Sequence, residues 1–181
     1  MVKSFDSALG SMAFLIAQGE ILVITFGHPT ATAARKALRG LIPCSMQLSN
    51  TPGMNSADDK FLAKQLEDRL TRFALGEAVD FDDFAISSTG MTNFQKLVMA
   101  ACRAIPWGET TTYGELAESV GHPGAARAVG TVMSNNRFPL VVPCHRVLAA
   151  GGGLGGYSAP QGLVMKERLL ATEQAAILST S

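Results

Sequence analysis

Residues 139–158 read PLVVPCHRVLAAGGGLGGYS, and this stretch is the most informative in the chain. Cys144 lies between Pro143 and His145, after a short apolar run that is typical of a buried strand. An unperturbed thiol has a pKa of about 8.5, so it needs a neighbouring base or cation to act as a nucleophile near neutral pH. His145 and Arg146 could supply that help, and the glycines that follow allow backbone N–H groups to approach a flat ligand. The stretch therefore predicts a nucleophilic cysteine beside a glycine-rich loop.

The chain has 181 residues, of which 47% are hydrophobic, enough for one ordinary domain or two small ones. No apolar run reaches the roughly 18–20 residues that a membrane-spanning helix needs. Cys44, Cys102 and Cys144 are widely separated, which argues against a disulfide framework and against a zinc site. We therefore expect a cytoplasmic protein with no metal and no cofactor. Cys102, on an apolar helix face, and Cys44, in a loop, are expected to be structural.

The charge distribution says more than the formal net charge, which is zero. Between residues 121 and 147 there are three arginines, Arg127, Arg137 and Arg146, and no acidic residue. A local excess of positive charge is compatible with an ordinary solvated surface and also with a nucleic-acid contact, which it favours only weakly.

The first third of the chain has the pattern of a small α/β unit. Ser11–Ala17 and residues 21–26 are β-rich runs separated by Gln18-Gly19-Glu20, which predicts a hairpin. Residues 32–39 are alanine-rich and predict a helix that ends at a glycine. Residues 41–53 contain two prolines and a glycine and predict a loop with a short strand.

A second helix is predicted to begin after Ser56, because Ser56 and Asp59 form a capping pattern. The helical spacing that supports it is carried by Phe61, Leu62, Gln65, Leu66, Leu70 and Phe73. Residues 79–89 are acidic and have no helical period, so we expect a linker along the surface.

The second half of the chain is predicted to be mainly helical. Thr92-x-x-Gln95 and Thr112-x-x-Glu115 are capping boxes that begin two helices. The apolar face expected for the first helix consists of Phe94, Leu97, Val98, Ala101, Cys102 and Ile105. A turn at residues 121–124 leads into a third helix over about residues 125–134, and helix, short turn, helix is the helix-turn-helix pattern.

The third helix has two different faces. Ala126, Val129, Val132 and Met133 share the face expected to enter the core. Arg127, Gly130, Thr131 and Ser134 share another face, which is small except for the arginine. From the residues alone this second face is either solvated or suited to a narrow minor groove, with one cationic side chain entering the duplex.

Several segments together closely resemble the O6-alkylguanine-DNA alkyltransferases, also called methylated-DNA–protein-cysteine methyltransferases. The residues that carry the resemblance are Thr92-Asn93-Phe94-Gln95, Gly108-Glu109-Thr110-Thr111-Thr112-Tyr113, Ala125-Ala126-Arg127-Ala128-Val129-Gly130, Asn136, Pro143-Cys144-His145-Arg146-Val147 and Gly155-Gly156-Tyr157-Ser158. The resemblance is strongest between residues 91 and 173.

The resemblance implies a fold and a reaction. The fold is an α/β ribonuclease-H-like N-terminal domain, residues 1–88, followed by a mainly helical, winged-helix-like domain with a helix-turn-helix, residues 89–181. The reaction is stoichiometric transfer of an alkyl group from O6-alkylguanine in DNA, and less so from O4-alkylthymine, to Cys144. The implied partner is double-stranded DNA, bound through the minor groove with base flipping, and no membrane or obligate protein partner is implied.

The resemblance also implies roles for individual residues. His145 takes the thiol proton through a water, Glu173 orients His145, Asn136 holds the turn beside Cys144, and Arg146 braces the site. The residues implied to bind the substrate base are Tyr113, Val147, Tyr157 and Ser158. Those implied to contact DNA are Ala126, Arg127, Ala128, Gly130 and Thr131, with Arg127 filling the gap left by the extruded nucleotide.

Two departures from the family pattern bear on the width of the pocket. Phe138 stands where a smaller residue or proline is common, and residues 159–162 form a longer loop after Ser158 than in some members. Two other classes of function remain open from the sequence: a lesion sensor that binds without transfer, and a cysteine hydrolase of small molecules.

Overall fold

The computed structural model describes residues 1–42 and 56–178, which form a mixed α/β part followed by a largely helical part. Contacts between backbone positions divide the chain into two compact units, Met1–Ser87 and Ser88–Ser181. Cys44 and most of the predicted loop at residues 41–53 lie outside the described residues. No helix in the described ranges is long and apolar enough to cross a membrane.

The first unit is built on a four-stranded sheet with the order β1-β2-β3-β4. Its strands are β1 (Val2–Phe5), β2 (Ser11–Ala17), β3 (Glu20–His28) and β4 (Ala85–Ile86). The first three strands pair antiparallel, and β4 pairs parallel to β3. The predicted hairpin is confirmed, because Gln18 and Gly19 both have positive φ angles, as a tight two-residue turn requires.

In the described part of this unit, two helices accompany the sheet. The predicted first helix is present as α1 (Ala31–Leu41), which begins at the Thr30 cap and continues one residue past Gly40, where it was expected to end. Its buried residues Ala34 and Leu38 pack against Ala13, Leu15 and Val23 of the hairpin. The second helix, α2 (Ala57–Ala74), begins as predicted at Ser56, whose hydroxyl accepts a hydrogen bond from the Asp59 N–H.

Two predictions for this unit are wrong. Residues 79–89 are not a surface linker, because Phe81 and Phe84 are buried and Ser87 donates its N–H to the carbonyl of Ile21. Phe61 does not face the core and is 66% exposed. The buried face of α2 instead follows Ala63, Leu66, Leu70 and Phe73, and two residues along a helix turn a side chain by about 200°, away from that face.

Over its described residues, 88–178, the second unit contains four α-helices and a two-stranded parallel sheet. The helices are α3 (Asn93–Arg103), α4 (Tyr113–Ser119), α5 (Ala126–Ser134) and α6 (Gly162–Leu178), and the strands are β5 (Thr111–Thr112) and β6 (Val147–Leu148). Both predicted capping boxes are present, at Thr92 and Thr112. The predicted succession of α4, turn and α5 is confirmed, and a short 3-10 helix, Cys144–Arg146, leads into β6.

Three expectations for this unit also need correction. Leu97 is 49% exposed, and the buried face of α3 consists of Val98, Met99 and Cys102. The apolar run before Cys144 is buried but is not a strand. Leu140 has a φ of 73°, which breaks the extended conformation, and the run forms only an isolated bridge between Pro139 and Val142. Ala126, expected in the core, is only partly buried.

Candidate active site

Cys144 is held at the start of the 3-10 helix by a turn that Asn136 stabilises. The Asn136 side-chain amide donates to the carbonyl of Val142 at 2.8 Å, and its oxygen accepts from the N–H of Phe138 at 2.9 Å. Asn136 also hydrogen-bonds the Cys144 side chain. One asparagine therefore fixes both the backbone before the cysteine and the sulfur itself.

Behind Cys144 lies a buried network centred on the Glu173 carboxylate of α6. Its Oε1 lies 2.7 Å from His145 Nε2 and 3.0 Å from Arg146 Nη2. Its Oε2 accepts from Arg146 Nε at 3.0 Å and from the Gly108 N–H at 3.0 Å. His145 and Glu173 are almost inaccessible to solvent. The carboxylate thus has charged and neutral donors on both oxygens, as a buried anion requires.

The network fixes the protonation states of the site. Burial would raise the pKa of Glu173, but hydrogen bonds from His145 and Arg146 outweigh it and lower that pKa to about 2. Burial lowers the pKa of His145, against the opposing effect of Glu173, so the imidazole is neutral at pH 7. Because ionised Glu173 only accepts hydrogen bonds, Nε2 of His145 carries the proton and Nδ1 is the basic nitrogen.

The thiol of Cys144 is protonated at rest. Burial raises its pKa, and the hydrogen bond with Asn136 and the charge of Lys166 oppose this only in part. The sequence shows possible helpers beside the sulfur but not how completely the site excludes water, and this burial is what holds the proton on the thiol. The proton must leave during the reaction.

A cavity of about 570 Å³ opens onto Cys144. Most of its lining residues are small, and two tyrosines and one arginine complete the wall: Thr112, Tyr113, Gly114, Ala126, Arg127, Gly130, Met133, Ser134, Ala149, Ala150, Gly156, Tyr157 and Ser158. A cavity of this volume is in the range of sites for small organic ligands. Burial raises the pKa of the Tyr113 phenol, which is therefore a hydrogen-bond donor at neutral pH.

Gly155 brings the glycine-rich loop against Tyr113. Its φ is 69°, and a Cβ at this position would lie 2.9 Å from Cε2 of the tyrosine ring. Any side chain there would displace the ring from the cavity wall, so the close approach of the loop requires glycine.

A model of the family described as "6-O-methylguanine DNA methyltransferase, DNA binding domain" matches residues 93–175. The crystal structure of Mycobacterium tuberculosis OGT in complex with DNA has a TM-score of 0.70 and 30% identity to this chain, covering 96% of this chain and 92% of that one. This chain belongs to the methylated-DNA–protein-cysteine methyltransferase family. The O6-methylguanine-DNA methyltransferase of the archaeon Pyrococcus kodakaraensis has a TM-score of 0.69, with 28% identity over 95% of this chain and 97% of that one.

Curated family members align with a little more than half of this chain. The methylated-DNA–protein-cysteine methyltransferase of Mycolicibacterium paratuberculosis is 46% identical over 107 residues, which are 59% of this chain and 62% of that protein. The protein of the same name from Methanosarcina acetivorans is 46% identical over 105 residues, which are 58% of this chain and 65% of that protein. The chain thus spans just under two thirds of the length of these methyltransferases.

The predicted family residues fall into two groups in the structure, those that line the cavity and those that do not. Tyr113, Ala126, Arg127, Gly130, Tyr157 and Ser158 line the cavity with Cys144. Asn136, His145, Val147 and Glu173 do not line the cavity, and the last three are buried. Ala128 and Thr131 are exposed on α5. Phe138, which was expected to affect the width of the pocket, is fully buried and does not line the cavity. Residues 159–162 do not line the cavity either.

Lys166 is a member of the site that the sequence analysis missed. Its side chain is fully buried, and Nζ donates to the carbonyls of Val147 at 2.6 Å and Leu154 at 2.5 Å, with Gly156 at 3.5 Å. The ammonium also lies 5.9 Å from the centroid of the Tyr113 ring. The sequence holds one sign that Lys166 is buried. It lies three residues before Leu169 and seven before Glu173, so the three residues share the buried face of α6.

Proposed function

We propose that this chain repairs DNA by moving an alkyl group from O6 of guanine, and less readily from O4 of thymine, onto Cys144, once per molecule. The observation that carries the proposal is the position of Cys144. The thiol lies at a cavity lined by residues of α4 and α5, with a proton acceptor and its carboxylate partner beside it. The membership of the family and the names of the relatives support the same reaction.

The proposed step balances without a cofactor. The thiol proton passes to Nδ1 of His145, through a water, and the resulting imidazolium is stabilised by Glu173. The sulfur attacks the alkyl carbon, the bond from that carbon to O6 breaks, and the electron pair goes to the guanine. The guanine takes up one proton and leaves in its normal form. The product on the protein is a thioether, which has no acyl carbon for water to attack, so the reaction ends after one transfer.

Access to the base in a duplex requires that the nucleotide leave the stack, at a cost of roughly a few kcal/mol. In the proposed complex the small face of α5, with Gly130 and Thr131, enters the minor groove, and Ala126 and Ala128 make further contacts with the DNA. Arg127 occupies the space that the flipped guanine leaves. Support comes from the exposure of Arg127 on a face whose other members are small.

Inside the cavity we propose that the Tyr113 hydroxyl donates a hydrogen bond to the base. Tyr157, Ser158 and Val147 form the remaining contacts. Tyr113 and Tyr157 line the cavity with Cys144, which supports this assignment.

The finer description of the fold is part of the same proposal. Three antiparallel strands, two helices and a parallel fourth strand support a ribonuclease-H-like first domain, residues 1–88. The succession of α4 and α5 with the small β5–β6 sheet supports a winged-helix-like second domain, residues 89–181. A cytoplasmic location, expected from the absence of paired cysteine spacing, belongs to the proposal as well.

Stoichiometry tests the proposal. Increasing amounts of protein are incubated with a duplex containing one O6-methylguanine, and the remaining lesion is counted. We expect at most one lesion removed per molecule, and none with Cys144→Ser, which still binds the duplex. Repeated turnover would indicate a hydrolase, and binding without removal by the wild type would indicate a lesion sensor.

A further inference from the structure

The turn after α3 contacts the Glu173 carboxylate directly. In this segment, residues 105–108, which we call the Gly108 turn, the Gly108 N–H donates to Glu173 Oε2 at 3.0 Å. The carbonyl of the same glycine accepts from the side-chain amide of Gln174 at 2.8 Å. Gly108 is therefore bound through its N–H and its carbonyl by two consecutive residues of α6.

The same turn also holds the arginine that shares this carboxylate. Arg146 Nη1 donates to the carbonyl of Ile105 at 2.6 Å, and its guanidinium lies 5.7 Å from the centroid of the Trp107 ring. In the part of the chain that the structure describes, the Gly108 N–H is the donor that Glu173 Oε2 has besides Arg146. Arg146 is a side chain that could follow a rotating carboxylate, whereas a backbone N–H within a turn could not.

We infer that the Gly108 turn is a positioning element for Glu173: the Gly108 N–H, supported by Gln174, fixes the rotation of the carboxylate and so directs Oε1 at His145. The inference rests on the proposed function, because it concerns the proton acceptor of that reaction. Neither Gly108 nor Gln174 touches the cavity, so both act through Glu173.

The backbone conformation explains why a glycine occupies the position. Gly108 has a φ of 75°, and a Cβ there would lie 2.0 Å from Cδ1 of Ile177. Rotation of Ile177 about its second torsion would move Cδ1 aside, so the positive φ is the stronger constraint on a side chain at position 108. A β-branched residue at position 108 would have to move the backbone out of this conformation, and that movement would take the N–H away from Glu173.

A loosened carboxylate has a defined chemical consequence. Glu173 is the group that opposes the effect of burial on His145 and keeps the imidazole basic. When the carboxylate turns away, the pKa of His145 falls, and the imidazolium that would stabilise the Cys144 thiolate forms less readily. The thiol then loses its proton only at a higher pH, so the midpoint of transfer, which reports that loss, moves up. A change that only destabilises the fold would not move the pH at which transfer becomes half-maximal.

Gly108→Val and a matched glycine variant test this inference. Gly90 lies in the same unit, has a φ of 78° and has no atom within 4 Å of a Cβ placed there, so Gly90→Val introduces the same backbone strain without a collision. We expect Gly108→Val to move the midpoint of the pH–rate profile up by about one unit, which lowers the rate at a fixed pH below that midpoint about tenfold. Glu173→Gln should move the profile in the same direction, and Gly90→Val should leave the midpoint unchanged.

Gln174→Met is the second variant, since it keeps the side-chain length, removes the amide donor and lies on an exposed position. We expect a smaller upward shift, and this variant decides the matter if Gly108→Val does not fold. Wild-type midpoints in Gln174→Met and in any folded Gly108→Val would overturn the inference.

An NMR titration of the His145 ring in the absence of DNA separates the two proposals. It should give a lower pKa in the folded turn variants than in the wild type, whether or not the protein transfers alkyl groups. Failure of the wild type to take up an alkyl group would refute the proposed function. An unchanged His145 pKa in the variants would refute the positioning role.

Discussion

The Cys144 thiol is buried and protonated at rest, and it lies beside a neutral imidazole whose basicity depends on Glu173. Exposed thiolates are oxidised and alkylated readily, because the thiolate is the reactive form. A protein that each transfer consumes would be depleted by such side reactions. Keeping the proton on sulfur until the alkyl carbon is in place would restrict the proposed reaction to a bound lesion.

Among single residues, Lys166 is expected to hold the glycine-rich loop in position. Lys166→Met removes the donor from buried backbone carbonyls, including those of Val147 and Leu154. Each unsatisfied buried group costs about 1–3 kcal/mol. We expect faster amide hydrogen exchange over residues 147–156 and transfer slowed at least about tenfold, since 1.36 kcal/mol corresponds to that factor.

Lys96→Met, at an exposed lysine on α3, is the matched control and should leave both quantities unchanged. Wild-type exchange in the loop of Lys166→Met would show that the lysine does not anchor it.

At the scale of elements, α5 is the part of the molecule proposed to meet DNA. Its buried side, with Val129, Val132 and Met133, fixes it in the second unit, and its other side carries Arg127. The helix has no side-chain N-cap. Recognition by this element would depend on shape and on one cationic side chain.

Arg127→Ala is expected to slow transfer from duplex DNA about ten- to a thousandfold, because base extrusion costs roughly a few kcal/mol. Transfer from free O6-benzylguanine needs no extrusion and should be much less affected, provided that the cavity admits the benzyl group. Lys96→Ala removes a positive charge from another exposed position and is the control for the effect of charge loss alone. Equal losses on duplex and free base would assign Arg127 to the pocket or the fold, and no loss on either would make it a solvated charge.

Local patterns made much of the element order predictable. The hairpin at Gln18-Gly19 and the capping boxes at Thr92 and Thr112 depend on neighbours in sequence, and each was predicted correctly. The sequence analysis missed β1, because Val2–Phe5 has too little apolar alternation, and it missed β4, which pairs with residues of β3 that lie 65 positions earlier in the chain. A strand that is buried by contacts with a distant part of the chain shows no hydrophobic period in its own few residues.

The site also has residues that were identified from the sequence and residues that were missed. Cys144, His145 and Glu173 were identified through resemblance, and the structure places His145 and Glu173 in contact across 28 residues of sequence. Lys166 was missed although its spacing from Glu173 places it on the same helix face, since a lysine on a helix is usually exposed. The Gly108 turn was missed because a glycine after Trp107 indicates only a turn.

At the scale of the whole molecule, each of the two units has its own set of internal contacts. In the second unit, the Glu173 network connects the end of α3, the 3-10 helix and α6. The stability of that unit should therefore depend on the ionisation of one carboxylate. Trp107, the single tryptophan of the chain, lies beside Arg146 in this network and reports on it by fluorescence.

The acid stability of the second unit follows from the depressed pKa of Glu173. Its folded value of about 2 lies below the ordinary 4.5, so the stabilisation is complete above about pH 4.5 and is lost as the pH falls towards 2. At 1.36 kcal/mol per unit this is about 3 kcal/mol. The difference in free energy of unfolding between the wild type and Glu173→Gln, followed by Trp107 fluorescence, should shrink by that order between pH 5 and 2. Parallel curves would contradict the assignment.

The most direct test of the account is mass spectrometry of the protein after incubation with an O6-methylguanine duplex. The account predicts that one molecule gains the mass of one CH2 group and that peptide mapping places the methyl group on Cys144. Cys102, which is fully buried and whose thiol pKa is raised by burial, should remain unmodified, as should Cys44. A methyl group on Cys102 or Cys44, or no mass change while the lesion disappears, would contradict it.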